Sequence, residues 1–448
     1  MFSQRILNNI KEQRGLNFQH PLYEQLGRVV QVIGTVIEVT LHDIPLGSFV
    51  RIFNKEKSYS IEGEVVGFKK DRALVIPFQS PVGVCAESFV QCIEREQKIQ
   101  VGNFLIGKVI DAYGRLLDGT ELKIDAKESI SWPIMRHPIN PMTRKRIHAP
   151  FDVGVKSINA LLALGEGQRV GIMSGSGVGK SVLMGMISRY SESDVNVIAL
   201  IGERGREVRE FLEENLGEAG LKKSVVVVST GDQSPLCRVR AAQVGTAIAE
   251  YFREQGKRVL LLMDSLSRVA MAQREIGLSV GEPPTTKGYT PSVFSLLPKL
   301  LERAGNSDSK GSLTGIYTVL VEGDDFNDPV CDSARSILDG HIHLSRFLAQ
   351  RNHFPAIDVL ASTSRVMMDI SSKKQLKAAS MLRDLLAEYK KNEDIIAIGS
   401  YASGMNLKLD RAISLMPRIE SFLKQDRLEQ SSFEESLQEL YKLVGEEA

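Results

Sequence analysis

The stretch RVGIMSGSGVGKSVLMGMISRY, residues 169–190, decides the fold. It opens on an apolar run, passes through a loop with three glycines, and closes on a segment whose apolar residues recur at helical spacing. Strand, glycine-rich loop and helix in that order are the context a phosphate-binding loop requires. Glycines let backbone N–H groups turn inward around phosphate oxygens, the helix start adds its positive end, and Lys180 supplies a full charge to the β and γ phosphates. Ser181 offers its hydroxyl to Mg²⁺. The candidate nucleotide contacts are therefore Ser174, Gly175, Ser176, Gly177, Val178, Gly179, Lys180, Ser181 and Val182, with Ser174 standing where the strict pattern has Gly.

Outward from this loop, apolar strand candidates alternate with helical patterns from about Leu161 to Ser364: RVGIMS, VNVIALIGE, SVVVVST, RVLLLMDS, GIYTVLVEG and AIDVLAST. Near-continuous apolar strands separated by helices belong to a parallel sheet covered on both faces, so the core is α/β. Its chemistry needs a carboxylate at the end of a neighbouring strand to hold the hydrated metal, and RVLLLMDS supplies Asp264, acting through water. A further acidic group must orient the attacking water. Glu203, directly after the strand VIAL, is the candidate, and the adjacent Arg204 is placed to fix that carboxylate or to reach the γ-phosphate.

On the N-terminal side, residues 23–93 carry short β-branched runs punctuated by glycines, the texture of a small barrel or sandwich. Before them, Phe2, Ile6, Leu7 and Ile10 form one apolar stripe of a short amphipathic helix. After Arg365 the strands end, and Leu376 to Tyr389 and Phe422 to Val444 read as helices. Lys+Arg 56 against Asp+Glu 55 leaves a net charge of +1, which excludes the global electrostatic footprint of a nucleic-acid binder. Cys85, Cys92, Cys237 and Cys331 form no CxxC pair, which points to reduced thiols and the cytoplasm. His341 and His343 share a strand face without a third metal ligand.

The strings SGSGVGKS, ALIGERGREVREF, STGDQSPLCRVRAA, VEGDDFNDP, SARSILDGHIHLSR and ASTSR resemble the type III export ATPases, relatives of the catalytic subunit of rotary ATP synthases. The likeness runs from about Gly27 to Phe422 and is most specific through 134–366. It implies an N-terminal helix over 1–21 that docks an export regulator or stator protein, a β-barrel over 22–95, a RecA-like ATPase core over 96–370 and a C-terminal helical domain over 371–448, assembled as a homohexamer. The Arg of ASTSR, here Arg365, is implied to reach the neighbouring subunit's site as an arginine finger. Phe354, in HFPAID, is implied to hold the adenine. The loop GEPPTTKGY, 281–289, is implied to face a central channel and a stalk protein.

The function so implied is ATP hydrolysis, with ATP and Mg²⁺, driving a flagellar export apparatus from the cytoplasmic face of the inner membrane, where export substrates, their chaperones and a membrane export gate are the partners. An injectisome ATPase shares the same motifs. A rotary synthase subunit fits less well, because ASGMNLKLDRAI lacks the acidic loop of that subunit and its phosphate loop ends in Ser181 rather than Thr. A hexameric RNA translocase needs basic and aromatic residues interleaved in the N-terminal domain, and 23–93 has the aromatics without the basic density, so no specific nucleic-acid partner is expected. A non-catalytic ring subunit would be expected to have replaced Glu203.

Overall fold

The structure, a computed structural model, describes residues 26–56, 58–122, 128–308, 310–321, 323, 325 and 328–445. The expected N-terminal helix, and with it the segment 1–21, lies outside these residues. The chain divides between Gln97 and Lys98 into two compact units.

In the first unit, strands Leu26–Ile33, Val36–Thr40, Phe49–Phe53, Ser60–Lys69, Arg72–Pro77 and Phe89–Glu94 close into a six-stranded barrel. Alternation with period two sends Val29, Ile37, Val39, Val50, Ile52, Val75 and Val90 into its interior. Pairing of the first strand with the last, Leu26 opposite Gln91, completes the ring of hydrogen bonds and leaves no open edge.

The second unit is built on an eight-stranded sheet in the order Thr363–Ser364, Gly340–Leu344, Arg169–Ser174, Ser312–Leu320, Arg258–Asp264, Val195–Glu203, Ser224–Thr230 and Val109–Ile110. Only the first pair is antiparallel. Successive side chains enter different cores: Ile198 and Leu200 join one cluster, Val197, Ala199 and Ile201 the other. This burial on both faces explains why the strands read as unbroken apolar runs.

Three expectations need correction. The phosphate-loop strand and the Asp264 strand are not neighbours, because Ser312–Leu320 runs between them and pairs with both. AIDVLAST is not a core strand: Asp358 accepts hydrogen bonds from the N–H groups of Leu360 and Ala361, bending the chain into a turn, and Gly340–Leu344 takes the place in the sheet. The C-terminal helices are Lys373–Ala397, Leu407–Leu423 and Phe433–Val444. The middle one carries Pro417 in its interior, which masks it in the sequence, and the last starts afresh at a capping box between Ser432 and Glu435. These helices belong to the same compact unit as the sheet, and Leu382, Leu385, Ile419 and Leu440 share one apolar cluster with Ile172 and Leu183.

Candidate active site

Ser174 ends its strand, in register with Leu320 on one side and Leu344 on the other. Its extended backbone has no need of glycine's freedom, which accounts for Ser at that position. Left-handed conformations fall later, at Gly177 (φ 77°) and Gly179 (φ 91°), where a side chain is strained. Gly179 caps the helix Lys180–Tyr190, whose first N–H groups therefore open onto the loop.

Beside the loop lies a cleft of 610 Å³ lined by Gly175, Ser176, Gly177, Gly179, Lys180, Ser181 and Val182, and from other elements by Glu203, Arg204, Glu207, Arg268, Met271, Leu320, Val321, Gly323 and Arg346. Val178 turns its side chain into the core and can offer only its backbone. Phe354 is not among these lining residues; 41% exposed, it places its ring 3.4 Å from where a Cβ on Gly179 would lie.

Lys180, Glu203 and Asp264 converge. The Lys180 ammonium lies 2.5 Å from Asp264 Oδ1 and 3.4 Å from Glu203 Oε1, all three side chains being largely buried. Burial works to deprotonate Lys180, but the charges of Asp264 and Glu203 outweigh it and hold its pKa above the usual lysine value. Glu203 responds in the opposite sense. Burial pushes its carboxyl up, the Lys180 charge pulls it down, and Asp264 and Glu207 push it up again, leaving it at about 7.

Arg204 lines the cleft but does not bond Glu203; its highly exposed guanidinium pairs with Glu207 at 3.3 Å. Arg365 is absent from this cleft. It follows the edge strand Thr363–Ser364, its N–H donates to Asp339 O, and its Nη2 donates to Arg335 O. Because Ser364 pairs with Gly340 whereas the phosphate loop leaves the sheet beside Leu344, Arg365 sits at the opposite end of the strands, four steps of about 3.3 Å away along the sheet. A second cleft of 580 Å³ opens at that end, around Arg144, Arg169, Asp339 and Val366.

Sequence reading passed over Arg268 and Arg346. Arg268 follows Asp264 by one helical turn in DSLSR and lines the cleft, its buried Nε without a hydrogen-bond partner. The spacing from Asp264 was the available signal. Arg346 ends the string SARSILDGHIHLSR, but its place in the cleft is set only when Gly340–Leu344 docks beside the phosphate-loop strand. The donor set fits Mg²⁺: the Ser181 hydroxyl and the Asp264 carboxylate offer the hard oxygen atoms that such an ion takes directly or through water.

Residues 154–364 match the family model of the ATP synthase alpha/beta family, nucleotide-binding domain, and residues 371–442 match that of the T3SS EscN ATPase C-terminal domain. The chain is 50% identical over 426 residues to the flagellum-specific ATP synthase of Bacillus subtilis, covering 95% of this chain and 96% of that protein. It is 48% identical over 421 residues to the type 3 secretion system ATPase of Xanthomonas euvesicatoria, covering 94% of each. The assembled ATPase EscN of the enteropathogenic E. coli type III secretion system superposes with a TM-score of 0.87 at 44% identity, covering 93% of this chain and all of that one, and its complex with the central stalk EscO gives 0.85 at 43% over the same shares. Similarity of this extent runs through barrel, sheet and C-terminal helices together, and the chain belongs to the family of flagellum-specific ATP synthases and type 3 secretion system ATPases.

Proposed function

We propose that this chain is the ATP-hydrolysing subunit of a flagellar protein-export apparatus, energising release of export substrates from their chaperones and entry of unfolded proteins into the export channel. The observation that carries the reading is Lys180, held at the mouth of the phosphate loop between Asp264 and Glu203. When ATP enters, Lys180 exchanges these carboxylates for the β and γ phosphate oxygens, and the N–H groups of 175–180 cradle the same oxygens. Glu203, released from Lys180, orients a water for in-line attack. Ser181 and Asp264 would hold Mg²⁺, Asp264 through water, and the ion would neutralise charge developing on the transferred phosphoryl group. Arg204 and Arg268 add positive charge beside that group. Phe354 stacks on the adenine, and a Phe suffices for a face contact.

Arg365 stands too far from its own chain's loop to serve it, which supports donation to the next subunit of a homohexamer. The segment 1–21 docks an export regulator, residues 22–95 form the barrel, 96–370 the catalytic core and 371–448 the helical domain. A central stalk protein, by likeness to the EscN–EscO complex, engages the ring. Among the described residues no helix is long and apolar enough to cross a membrane, which fits work at the cytoplasmic face of the membrane export gate.

An injectisome role is the second reading, because the 48% identity to the Xanthomonas protein lies close to the 50% identity to the Bacillus one. A rotary synthase role is disfavoured, since residues 398–406 between two C-terminal helices contain no carboxylate. Steady-state hydrolysis tests the enzyme: Lys180→Ala should lose both turnover and most nucleotide affinity, and wild-type turnover in that variant would sink the assignment. Restored swimming of a strain lacking its flagellar ATPase, without restored needle secretion in an injectisome mutant, decides for the flagellar system.

A further inference from the structure

The strand interposed between phosphate loop and Asp264 has a consequence for the metal site. It carries Thr318, fully buried, and the parallel register that sets Met263 opposite Tyr317 brings Thr318 beside Asp264. Thr318 Oγ1 lies 2.7 Å from Asp264 Oδ1 and 3.4 Å from Met263 O. A hydroxyl has one proton, and the short contact to a charged oxygen takes it. We propose that Thr318 is the positioning residue of Asp264, fixing the carboxylate through Oδ1 so that Oδ2 remains the oxygen available to the hydrated metal.

Among the described residues two side chains bond Asp264, Lys180 and Thr318, and both use Oδ1. Only one of them can stay. Lys180 must leave for the phosphates when nucleotide binds, a step that rests on the function proposed above. From then on Thr318 alone restrains the carboxylate. Its side chain suits that role, because β-branching restricts χ1 and the strand therefore sets the aim of the hydroxyl. The helix that starts after Asp264 is tied to the same strand, the N–H of Leu320 donating to Ser267 Oγ at 2.9 Å, so both ends of the DSLS segment are bonded to one strand. Without the hydroxyl, Asp264 would be free to rotate once Lys180 departs, and metal would be held less well even though the phosphate loop is intact.

The test uses full-length Thr318→Val, Thr318→Ala and Thr318→Ser proteins and measures the dissociation constant of ADP with Mg²⁺ and with EDTA, alongside kcat and KM. Loss of one hydrogen bond to a charged group should cut the Mg²⁺-dependent gain in affinity about tenfold in Thr318→Val and Thr318→Ala, and kcat with it. Affinity in EDTA should stay within about twofold of wild type, and Thr318→Ser should restore the gain. A wild-type Mg²⁺ gain in the Val and Ala variants overturns the proposal. So does an equal loss in EDTA, or a Ser variant as impaired as Val. If Val and Ala fail to fold while Ser folds, the hydroxyl serves stability and the proposal also falls. Absence of any Mg²⁺ gain in the wild-type protein would instead bring down the metal reading of Asp264, and Thr318 with it.

Discussion

Lys180 and Asp264 are joined by a 2.5 Å ion pair across the end of the phosphate loop, so the cation meant for phosphate is already satisfied before any nucleotide arrives. Glu203 completes the clamp from the other side at 3.4 Å. In the proposed mechanism nucleotide binding is an exchange of anionic partners, which separates the roles of the two carboxylates. Glu203→Gln removes one competing charge from Lys180 and keeps Asp264 in place. It should bind Mg·ATP at least as tightly as wild type while turnover falls about 10²–10⁴-fold, the range for losing a positioned base. Equilibrium binding beside single-turnover hydrolysis checks this, and equal losses of both would count against a water-orienting role.

Acidity gives an independent handle on the same residue. Burial, with Asp264 and Glu207 nearby, raises the Glu203 carboxyl to about 7 despite the opposing Lys180 charge. A carboxyl is uncharged below its pKa, so the competent form is present above about 7 and lost as pH falls through it. The value of kcat/KM, which reports the free enzyme, should rise with unit slope up to about pH 7 and level off above it. Lys180, held above the usual lysine range, stays charged throughout and adds no second limb near neutrality. A flat profile between about pH 5.5 and 8 would contradict the assignment.

How far the sequence could be read follows from which parts are local. The phosphate loop was legible because strand, glycines, Lys180 and helix lie within 22 consecutive residues, 169–190. Asp264 and Glu203 were legible for a similar reason, each ending its own apolar run. Strand order is a long-range property, so nothing local revealed that Ser312–Leu320 separates the Asp264 strand from the loop strand, nor that Arg346 would meet the cleft. Residues 356–362 were misread because alternation of apolar residues there mimics a strand, while the deciding interaction is the Asp358 side chain capturing its own downstream N–H groups.

Stability of the core should depend on a pair remote from the cleft. Arg303 donates Nε and Nη2 to the two oxygens of Glu250 at 2.9 and 2.7 Å, with both side chains almost fully buried. Removing one partner strands the other's charge. Glu250→Ala should lower unfolding free energy by about 3–5 kcal/mol in urea titrations. Nucleotide affinity of the folded fraction should hardly change, and a loss below about 1 kcal/mol would mean that Arg303 finds another anion.

Phe354 offers the reverse case, a residue expected to matter for ligand and little for folding. Its ring is 41% exposed beside Gly179. An aromatic face contact contributes about 0.5–1.5 kcal/mol beyond burial, so Phe354→Ala should weaken ATP binding roughly 2- to 12-fold, and Phe354→Tyr should leave it unchanged. Titration with a fluorescent ATP analogue measures both. Equal affinity in wild type and the Ala variant would remove Phe354 from the site.

The position of Arg365 leads to a test of the ring. It lies at the far end of the sheet from its own phosphate loop, so a site that uses it must combine Glu203 of one chain with Arg365 of the next. Such a site can be rebuilt from two inactive variants. Loss of an arginine finger costs ~10³–10⁵ in turnover, so Arg365→Ala alone should be nearly silent although nucleotide still binds, and Glu203→Gln alone should be silent too. In randomly mixed head-to-tail rings of equal composition, an interface is intact where an Arg365→Ala chain supplies Glu203 and its Glu203→Gln neighbour supplies Arg365, which is about one interface in four. Mixing should therefore restore activity toward a quarter of wild type. If firing must pass from site to site around the ring, recovery drops below that level, yet it must exceed the sum of the separate variants. Rings proven by mass to contain both chains that stay as inactive as either parent would show that no site is shared, leaving Arg365 a structural residue bonded to the Asp339 and Arg335 carbonyls.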